Sequence, residues 1–459
     1  MALKSVVWIT VESLRADATS LGDSGLDTTP NLEAMATEGQ SFESCYAHAT
    51  WTRPSTASML TGLPAAAHRV WTNDAALHPS IHTIPEAFQA MGYHTVGVSP
   101  IAQFSAATGL DRGFDDFHFI DRRSVASTVR LRTLLKYIAN IRSHSGGLTW
   151  DGRQHCTSYL MNELGKRYIR GSSDKPLFLY LHYGDTHLPY VPPKRWRESI
   201  ELPAGWTIDE AVRVAFQMSE QLYELNAGTV SFDAEAWSVV RSMYHGSIRY
   251  VDHMVGELMS FATEQLEDPI IVVTADHGEA FGEGGHVGHG QSMHSAVTNV
   301  PLVIQNLGEI PTDGLIQHAD VMRAICERLG VPHPVPAGCE LIDAPRRYAM
   351  TQEAGETRSI FEQKLRSIRE DYGRSENHSG DITSMRTDEW RYDRSDTSER
   401  LYALPDEEDN VIANHPIEAS KNADAIDNWS AEIEKMRAEV GHAEFTPRMR
   451  EQLRGLGYL

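Results

Sequence analysis

Asp276-His277-Gly278 directly follows the apolar run IIVVTA. A carboxylate and an imidazole at the end of a strand, with a glycine allowing a sharp turn, aim an oxygen and a nitrogen ligand at one point. That set suits a divalent metal of mixed preference, such as zinc or manganese. Taken alone, the tripeptide also fits a capped turn with a surface histidine. Its surroundings favour the metal: the loop GEAFGEGGHVGHG runs on to His286 and to His289, 12 residues beyond His277, and its glycines let it fold back over the strand end. His289 is the candidate here, and His286 reads as a solvated loop histidine. In LHYGDTHLPYVPP, His182, Asp185 and His187 lie at the end of another apolar run. A histidine so placed can donate to an anionic oxygen or move a proton near neutral pH. His187, in the loop, is the candidate; His182, still inside the apolar run, reads as a core histidine bonded to backbone.

Glu12, in VESLRAD, ends a mostly apolar run and would be costly to bury unpaired, so a metal is a natural partner for it. The remaining stretch is ATWTRPSTASMLTG, where Pro54 fits the first position of a helix. Thr52 then sits just before that helix, where free N–H groups and the helix dipole favour a negative oxygen. A threonine hydroxyl is a poor nucleophile unless its alkoxide is stabilised, which a bound cation does. The plainer alternative is that Thr52 only caps the helix. Arg53 beside it reads as an exposed arginine, with contact to an anionic substrate as the alternative.

These residues need a frame that brings strand ends together. The runs SVVWITV, YHTVGVSP, PLFLYLHY, DPIIVVTADHG and VPLVIQN lack polar alternation, which argues for a mostly parallel sheet sandwiched by helices in an α/β fold. In such sheets ligands bind at the carboxyl ends of the strands. Helices are expected near Ile84 to Met91, over Ser124 to Arg170 and over Asp209 to Leu266, where Tyr244, Ile248, Val251, Val255 and Leu258 recur at helical spacing. The predicted organisation is a catalytic domain over 1–345, a charged loop or linker over 346–380, and a small C-terminal α+β subdomain over 381–459. The last would hold a hairpin in SMRTDEWRYD and ERLYALPDEEDN and a terminal helix from Ile417 to Met436.

A net charge of −22 over 459 residues sets the chain against nucleic acid, whose phosphates need a basic surface. Only eight of the 41 basic residues are lysine, a balance that fits either concentrated salt or a GC-rich coding bias. Cys45, Cys156, Cys326 and Cys339 show no CxxC spacing and read mostly as buried small hydrophobes. The N-terminal apolar run is too short for a signal peptide or a membrane span. The expectation is therefore a cytoplasmic protein with a small anionic substrate, no nucleic-acid or membrane partner, and room for self-association into a homo-oligomer.

Together these motifs resemble the sulfatase-like branch of the alkaline phosphatase superfamily over nearly the whole chain. Glu12 to Asp17 resembles the acidic segment after strand one, and TPNLEAMATEGQSFESCYA the stretch before the nucleophile. WTRPSTASMLTG resembles the nucleophile motif, HYGDTHLPYVPP the substrate segment, and TADHGEAFGEGGHVGHGQSMHSAVTNVPLVI the metal block. RLYALPDEEDN and LRGLGYL resemble the C-terminal tail. The resemblance implies an alkaline phosphatase-like fold with one divalent cation (Zn, Mn, Mg or Ca) on Glu12, Thr52, Asp276 and His277, and His187 and His289 on the substrate oxygens.

The departures are informative. Sulfatases use a Cys or Ser in C/S-x-P-S-R, oxidised to formylglycine; here Thr52 and Thr56 stand in for the nucleophile and the Arg, and oxidising a threonine would give a ketone. Cys45 is not followed by Pro-x-Arg, and Glu12-Ser13 replaces the usual Asp-Asp. The set Glu, Thr, Asp-His resembles relatives that transfer phosphoethanolamine or glycerol phosphate, and phosphodiester or phosphonate hydrolases, which work through a phosphothreonine-type intermediate. The expectation is thus a metal-dependent phosphodiester or phosphonate monoester hydrolase with Thr52 as nucleophile. The alternatives are a sulfatase without formylglycine and a non-catalytic metal-binding relative.

Overall fold

The computed structural model describes residues 3–22, 24–121, 124–334, 346–373 and 379–455. Its centre is an eight-stranded sheet. From one edge the strands run Ile316–Gln317, Gln40–Tyr46, Asn299–Gln305, Ile270–Ala275, Val6–Val11, Leu177–Tyr183, His94–Ser99 and Asp116–Phe119. Neighbours pair in parallel except around Asn299–Gln305, which is antiparallel to both of its neighbours. The run VPLVIQN, read as one more parallel strand, is that exception.

Every residue of Val6–Val11, Leu177–Tyr183 and Ile270–Ala275 is buried, so the three middle strands are covered on both faces. Ser158–Gly171 and the long Ala234–Gln265 helix supply cover on one side, the latter burying Tyr244, Ile248, Val251, Val255 and Leu258. Asp233 caps the long helix by accepting from the Ala236 N–H at 2.8 Å. The region 124–170 is less continuous than expected. Short helices at Val125–Thr128, Leu131–Ala139 and Ile141–His144 precede a mainly irregular stretch, and Ser158–Gly171 follows.

Towards the C-terminus, Ala349–Glu353 joins Ile382–Arg386, Trp390–Arg394 and Glu399–Ala403 in a four-stranded antiparallel sheet backed by Pro416–Glu434. This is larger than the hairpin expected there. The charged stretch read as a loop carries a helix, Gly355–Ile368. It docks through Phe361, Leu365 and Ile368 against Tyr223, Ala227 and Tyr372. A few apolar residues three and four apart are enough to seat an otherwise polar helix. Cys45, Cys156 and Cys326 are free and buried. Cys339, the boundary drawn at 345 and the last residues of LRGLGYL lie outside the described residues. No helix among the described residues is long and apolar enough to cross a membrane.

Candidate active site

The register of the three middle strands builds the site. Val11 lies opposite Ala275 on one side and Tyr183 on the other, so Glu12 and Asp276 are the first residues past adjacent strands. Thr10 lies opposite His182. Side chains two apart share a face, so Thr10 and Glu12 point the same way and His182 comes alongside them. Beyond Glu12 the chain turns through Ser13 at φ 53°, a left-handed conformation uncommon for a residue with a side chain. The Ser13 N–H donates to Asp276 Oδ1 at 3.1 Å, and the Tyr244 hydroxyl donates to the Ser13 carbonyl at 2.6 Å, which holds the turn in place.

Thr52 begins the Thr52–Thr61 helix rather than preceding it, with Trp51 as its N-cap and Pro54 as the third residue. Proline is tolerated there because the N–H groups of the first turn have no partner within the helix. Trp51 makes no side-chain cap bond. Thr52 does not cap the helix: its hydroxyl donates to Glu12 Oε1 at 2.6 Å and lies 3.4 Å from His277 Nε2. The helix is buried along its full length and ends at Gly62, φ 72°, a left-handed cap that glycine adopts without strain. Ser55 ties the helix to the neighbouring strand end by donating to the Asp276 carbonyl at 2.6 Å.

Glu12, Asp276, His277 and Thr52 are all at 0% exposure. Glu12, Asp276 and His277 each offer a ligand atom within 4.8 Å of the others. Gly278 makes the turn possible, since a side chain there would meet the Ala296 carbonyl oxygen at 2.1 Å. Burial raises Asp276, and the charge of Glu12 raises it further, to about 7. Burial works the same way on Glu12, but the nearby histidines, His182 first, outweigh it and hold Glu12 well below the ordinary carboxylate range. Asp276 Oδ2 accepts no hydrogen bond from the described residues. It lies 3.4 Å from His277 Nε2, which is itself 3.8 Å from Glu12 Oε1. Two buried carboxylates, one with an oxygen left over, beside an imidazole nitrogen and a hydroxyl form a donor set that a divalent cation satisfies. The residues present fit the ion.

Histidines complete the arrangement. His277 Nδ1 is held by the Gly278 carbonyl at 2.8 Å and His187 Nδ1 by the Leu188 carbonyl at 2.9 Å. His289 Nδ1 instead meets a carboxylate, Glu279 Oε1, at 3.0 Å, and Glu279 Oε2 accepts from the Tyr190 hydroxyl at 2.7 Å. The hairpin pairing Ala280 with Gly288 brings Glu279 and His289 together, and the Gly290 N–H donates to the Thr50 carbonyl, pinning the loop beside Thr52. The His289 ring centre lies 4.4 Å from that of His277 and 5.0 Å from that of His187.

Of the expected residues, the structure thus brings Glu12, Thr52, Asp276, His277, His187 and His289 together. Arg53 differs: it is fully buried, not exposed. Its guanidinium donates to Gln103 Oε1 at 2.7 Å and to the carbonyls of Thr72 and Ala75 at 2.8 and 3.0 Å, bracing the helix start. His182, read as a core histidine on backbone, lies in the cluster with Nε2 2.5 Å from Glu12 Oε2 and 3.6 Å from Asp276 Oδ2. Asp185 faces away and accepts from the Thr157 and Ser158 N–H groups. His286 closes the loop's turn through its backbone. Glu279 and Tyr190 were missed; the sequence signal for Glu279 was its place two residues past His277, on the loop that returns to His289.

A model of the sulfatase family matches residues 4–331. The "Arylsulfatase" of Clostridium perfringens is 26% identical over 313 residues, covering 61% of this chain and 64% of that protein, a little under two thirds of its length. The "Multifunctional alkaline phosphatase superfamily protein PehA" of Trinickia caryophylli is 24% identical over 400 residues, 73% of this chain and 75% of that protein. Among solved structures, the phosphonate monoester hydrolase of Silicibacter pomeroyi superposes with a TM-score of 0.67 at 20% identity, covering 94% of this chain and 95% of that one. The phosphonate monoester hydrolase of Agrobacterium radiobacter gives 0.66 at 20%, over 94% and 96%. At that identity the likeness establishes the alkaline phosphatase-like fold. With the family model running from Lys4 to Val331, through every residue of the cluster, this chain belongs to the sulfatase family.

Proposed function

We propose that this chain is a metal-dependent hydrolase that cleaves a phosphodiester or phosphonate monoester, with Thr52 Oγ1 as the nucleophile. The observation that carries the reading is the Thr52 hydroxyl, 2.6 Å from Glu12 Oε1 in the first turn of a helix and beside a donor set that fits a divalent cation. Glu12, Thr52, Asp276 and His277 would hold one such ion, with manganese or zinc the best match for oxygen ligands plus one imidazole, and magnesium or calcium the alternatives. The chemistry it supplies when bound is Lewis acidity, which makes a threonine alkoxide and anionic ester oxygens tolerable in a buried site. Thr52 Oγ1, as the alkoxide whose proton has been released to solvent, bonds to phosphorus as the bond from phosphorus to the departing oxygen breaks, leaving a phosphothreonine. His187, as an imidazolium with its Nδ1–H on the Leu188 carbonyl, donates from Nε2 to a non-bridging oxygen. His289 Nε2 gives a proton to the departing oxygen; water then attacks the phosphorus, returns a proton to His289 and frees Thr52. The proton transfer falls to His289 because a carboxylate partner stabilises an imidazolium more than the backbone carbonyls behind His187 and His277 do.

One cation and two histidines suit a singly charged ester better than a dianionic monoester. The second reading, a sulfate ester cleaved through the same Thr52, draws support from the family match and the "Arylsulfatase" relative. A panel of phosphodiesters, phosphonate monoesters, phosphate monoesters and sulfate esters, assayed with manganese, zinc, magnesium or calcium, separates the two. The expected result is fastest turnover of a phosphodiester or phosphonate, reduced by a factor of about 10³ or more in Thr52→Ala. Fastest turnover of a sulfate ester selects the second reading. Absence of Thr52-dependent turnover across the panel leaves a metal-stabilised binding protein and ends the enzyme proposal.

A further inference from the structure

Nine large apolar side chains stand exposed among the described residues, and five of them fall between positions 131 and 150. On the Leu131–Ala139 helix, Leu131, Leu135 and Ile138 recur at spacings of four and three, so they form one stripe, with exposures of 71%, 58% and 52%. Thr133 and Tyr137, on the opposite side, are buried and seat the helix, the Tyr137 hydroxyl donating to the carbonyls of His144 and Cys156. In the loop after the Ile141–His144 helix, Leu148 and Trp150 are almost wholly exposed. Beside the stripe, a cavity of about 310 Å³ separates this helix from Ser158–Gly171. Arg130, Arg132 and Lys136 line it from one wall and Arg167 and Arg170 from the other. The one acidic side chain in its lining, Glu163, lies near Lys166. None of the five cations is in an ion pair among the described residues, on a chain whose net charge is −22.

We propose that this face docks on an anionic lipid surface, the phosphate headgroups meeting the groove cations while Leu131, Leu135 and Ile138 enter the acyl boundary. A bilayer interface takes both halves of the patch at once, with aliphatic side chains below the headgroups, arginine and lysine at the phosphates, and a tryptophan at the boundary level. A free anion would use the cations and leave the stripe wet. A second copy of the chain meeting this face across a two-fold axis would set the cations of both copies against one another. The acidic remainder of the molecule does not prevent approach, because at physiological ionic strength charges beyond about 8 Å are largely screened.

Co-sedimentation of the full chain with vesicles tests the proposal, comparing pure phosphatidylcholine with phosphatidylcholine containing phosphatidylglycerol, at physiological and at raised salt. The expected result is binding to the phosphatidylglycerol vesicles alone, weakened by salt. It should fall by about tenfold or more in the Arg132→Glu, Lys136→Glu double variant, and also fall in Leu135→Ser. These positions are exposed and outside the active site, so unchanged thermal unfolding certifies the variants. Failure to bind the phosphatidylglycerol vesicles, equal binding to both kinds, or binding that survives both variants overturns the proposal. So does a shift in oligomeric state caused by the same variants, which would assign the face to a second copy.

Discussion

At the scale of single residues, the site is set by what stands behind each imidazole. Three histidine rings meet near Thr52; carbonyls stand at Nδ1 of His187 and His277, and a carboxylate stands at Nδ1 of His289. Burial raises Glu279 to about 7, against the opposing pull of His187 and the Tyr190 hydroxyl, and burial pushes His289 down to about 4. The two share a proton that belongs to the pair. Glu279→Gln keeps an oxygen for the Nδ1–H and removes the charge. The expected effect is a fall in kcat of about 10- to 100-fold for esters whose departing oxygen is strongly basic, with little change for good leaving groups and KM within about twofold. A loss of equal size for both classes would mean that Glu279 only supports the fold. His187 and Asp276-His277 were legible in the sequence because each lies within a few residues of the end of an apolar strand. His182 was not, because its place beside Glu12 comes from the pairing of Thr10 with His182 across two strands distant in the chain.

At the scale of elements, the antiparallel sheet that begins at Ala349 is tied to the catalytic part by hydrogen bonds of Met350, Thr351 and Gln352 and by a buried carboxylate. Glu407 is paired with Arg386 at 2.8 Å and with Arg391 still more closely, and it accepts from the N–H of Ser295, the first residue of the Ser295–Thr298 helix, at 3.3 Å. Burial would raise its pKa, but the two guanidinium groups outweigh burial and hold it at about 2, against an ordinary value of 4.5. A depressed carboxyl contributes stability that is fully present above pH 4.5 and is lost as pH falls through about 2. Glu407→Gln should therefore lower stability by about 3 kcal/mol at neutral pH. In denaturant unfolding the gap from the parent protein should close as pH falls from 4.5 towards 2. A gap unchanged across that window would show that packing, not charge, was lost. The Gly355–Ile368 helix marks where the reading of elements fell short: its polar surface hides Leu365, and only contact with the Leu222–Ala227 helix reveals its inner face.

At the scale of the whole molecule, a net charge of −22 works against compactness, and the repulsion is longest-ranged when salt is low. Raising sodium chloride from about 0.01 M, where the screening length is about 30 Å, to about 1 M, where it is about 3 Å, should raise the thermal midpoint by several degrees. A flat or falling midpoint would mean that local ion pairs outweigh the net repulsion. Much of the architecture was present in the chain itself. Strands buried on both faces must be apolar throughout, so the runs around Trp8, Tyr180 and Val272 announced a covered, mostly parallel sheet, and polar residues at their ends announced a site. Composition and periodicity are local properties, and local properties survive in the sequence. Register and loop return are not local. Only the folded chain decided that Glu12 meets His182, that Glu279 stands behind His289, that Arg53 turns inward to Gln103, and that Leu131, Leu135 and Ile138 share a face that the described residues leave exposed, because each depends on which distant segment is placed beside it.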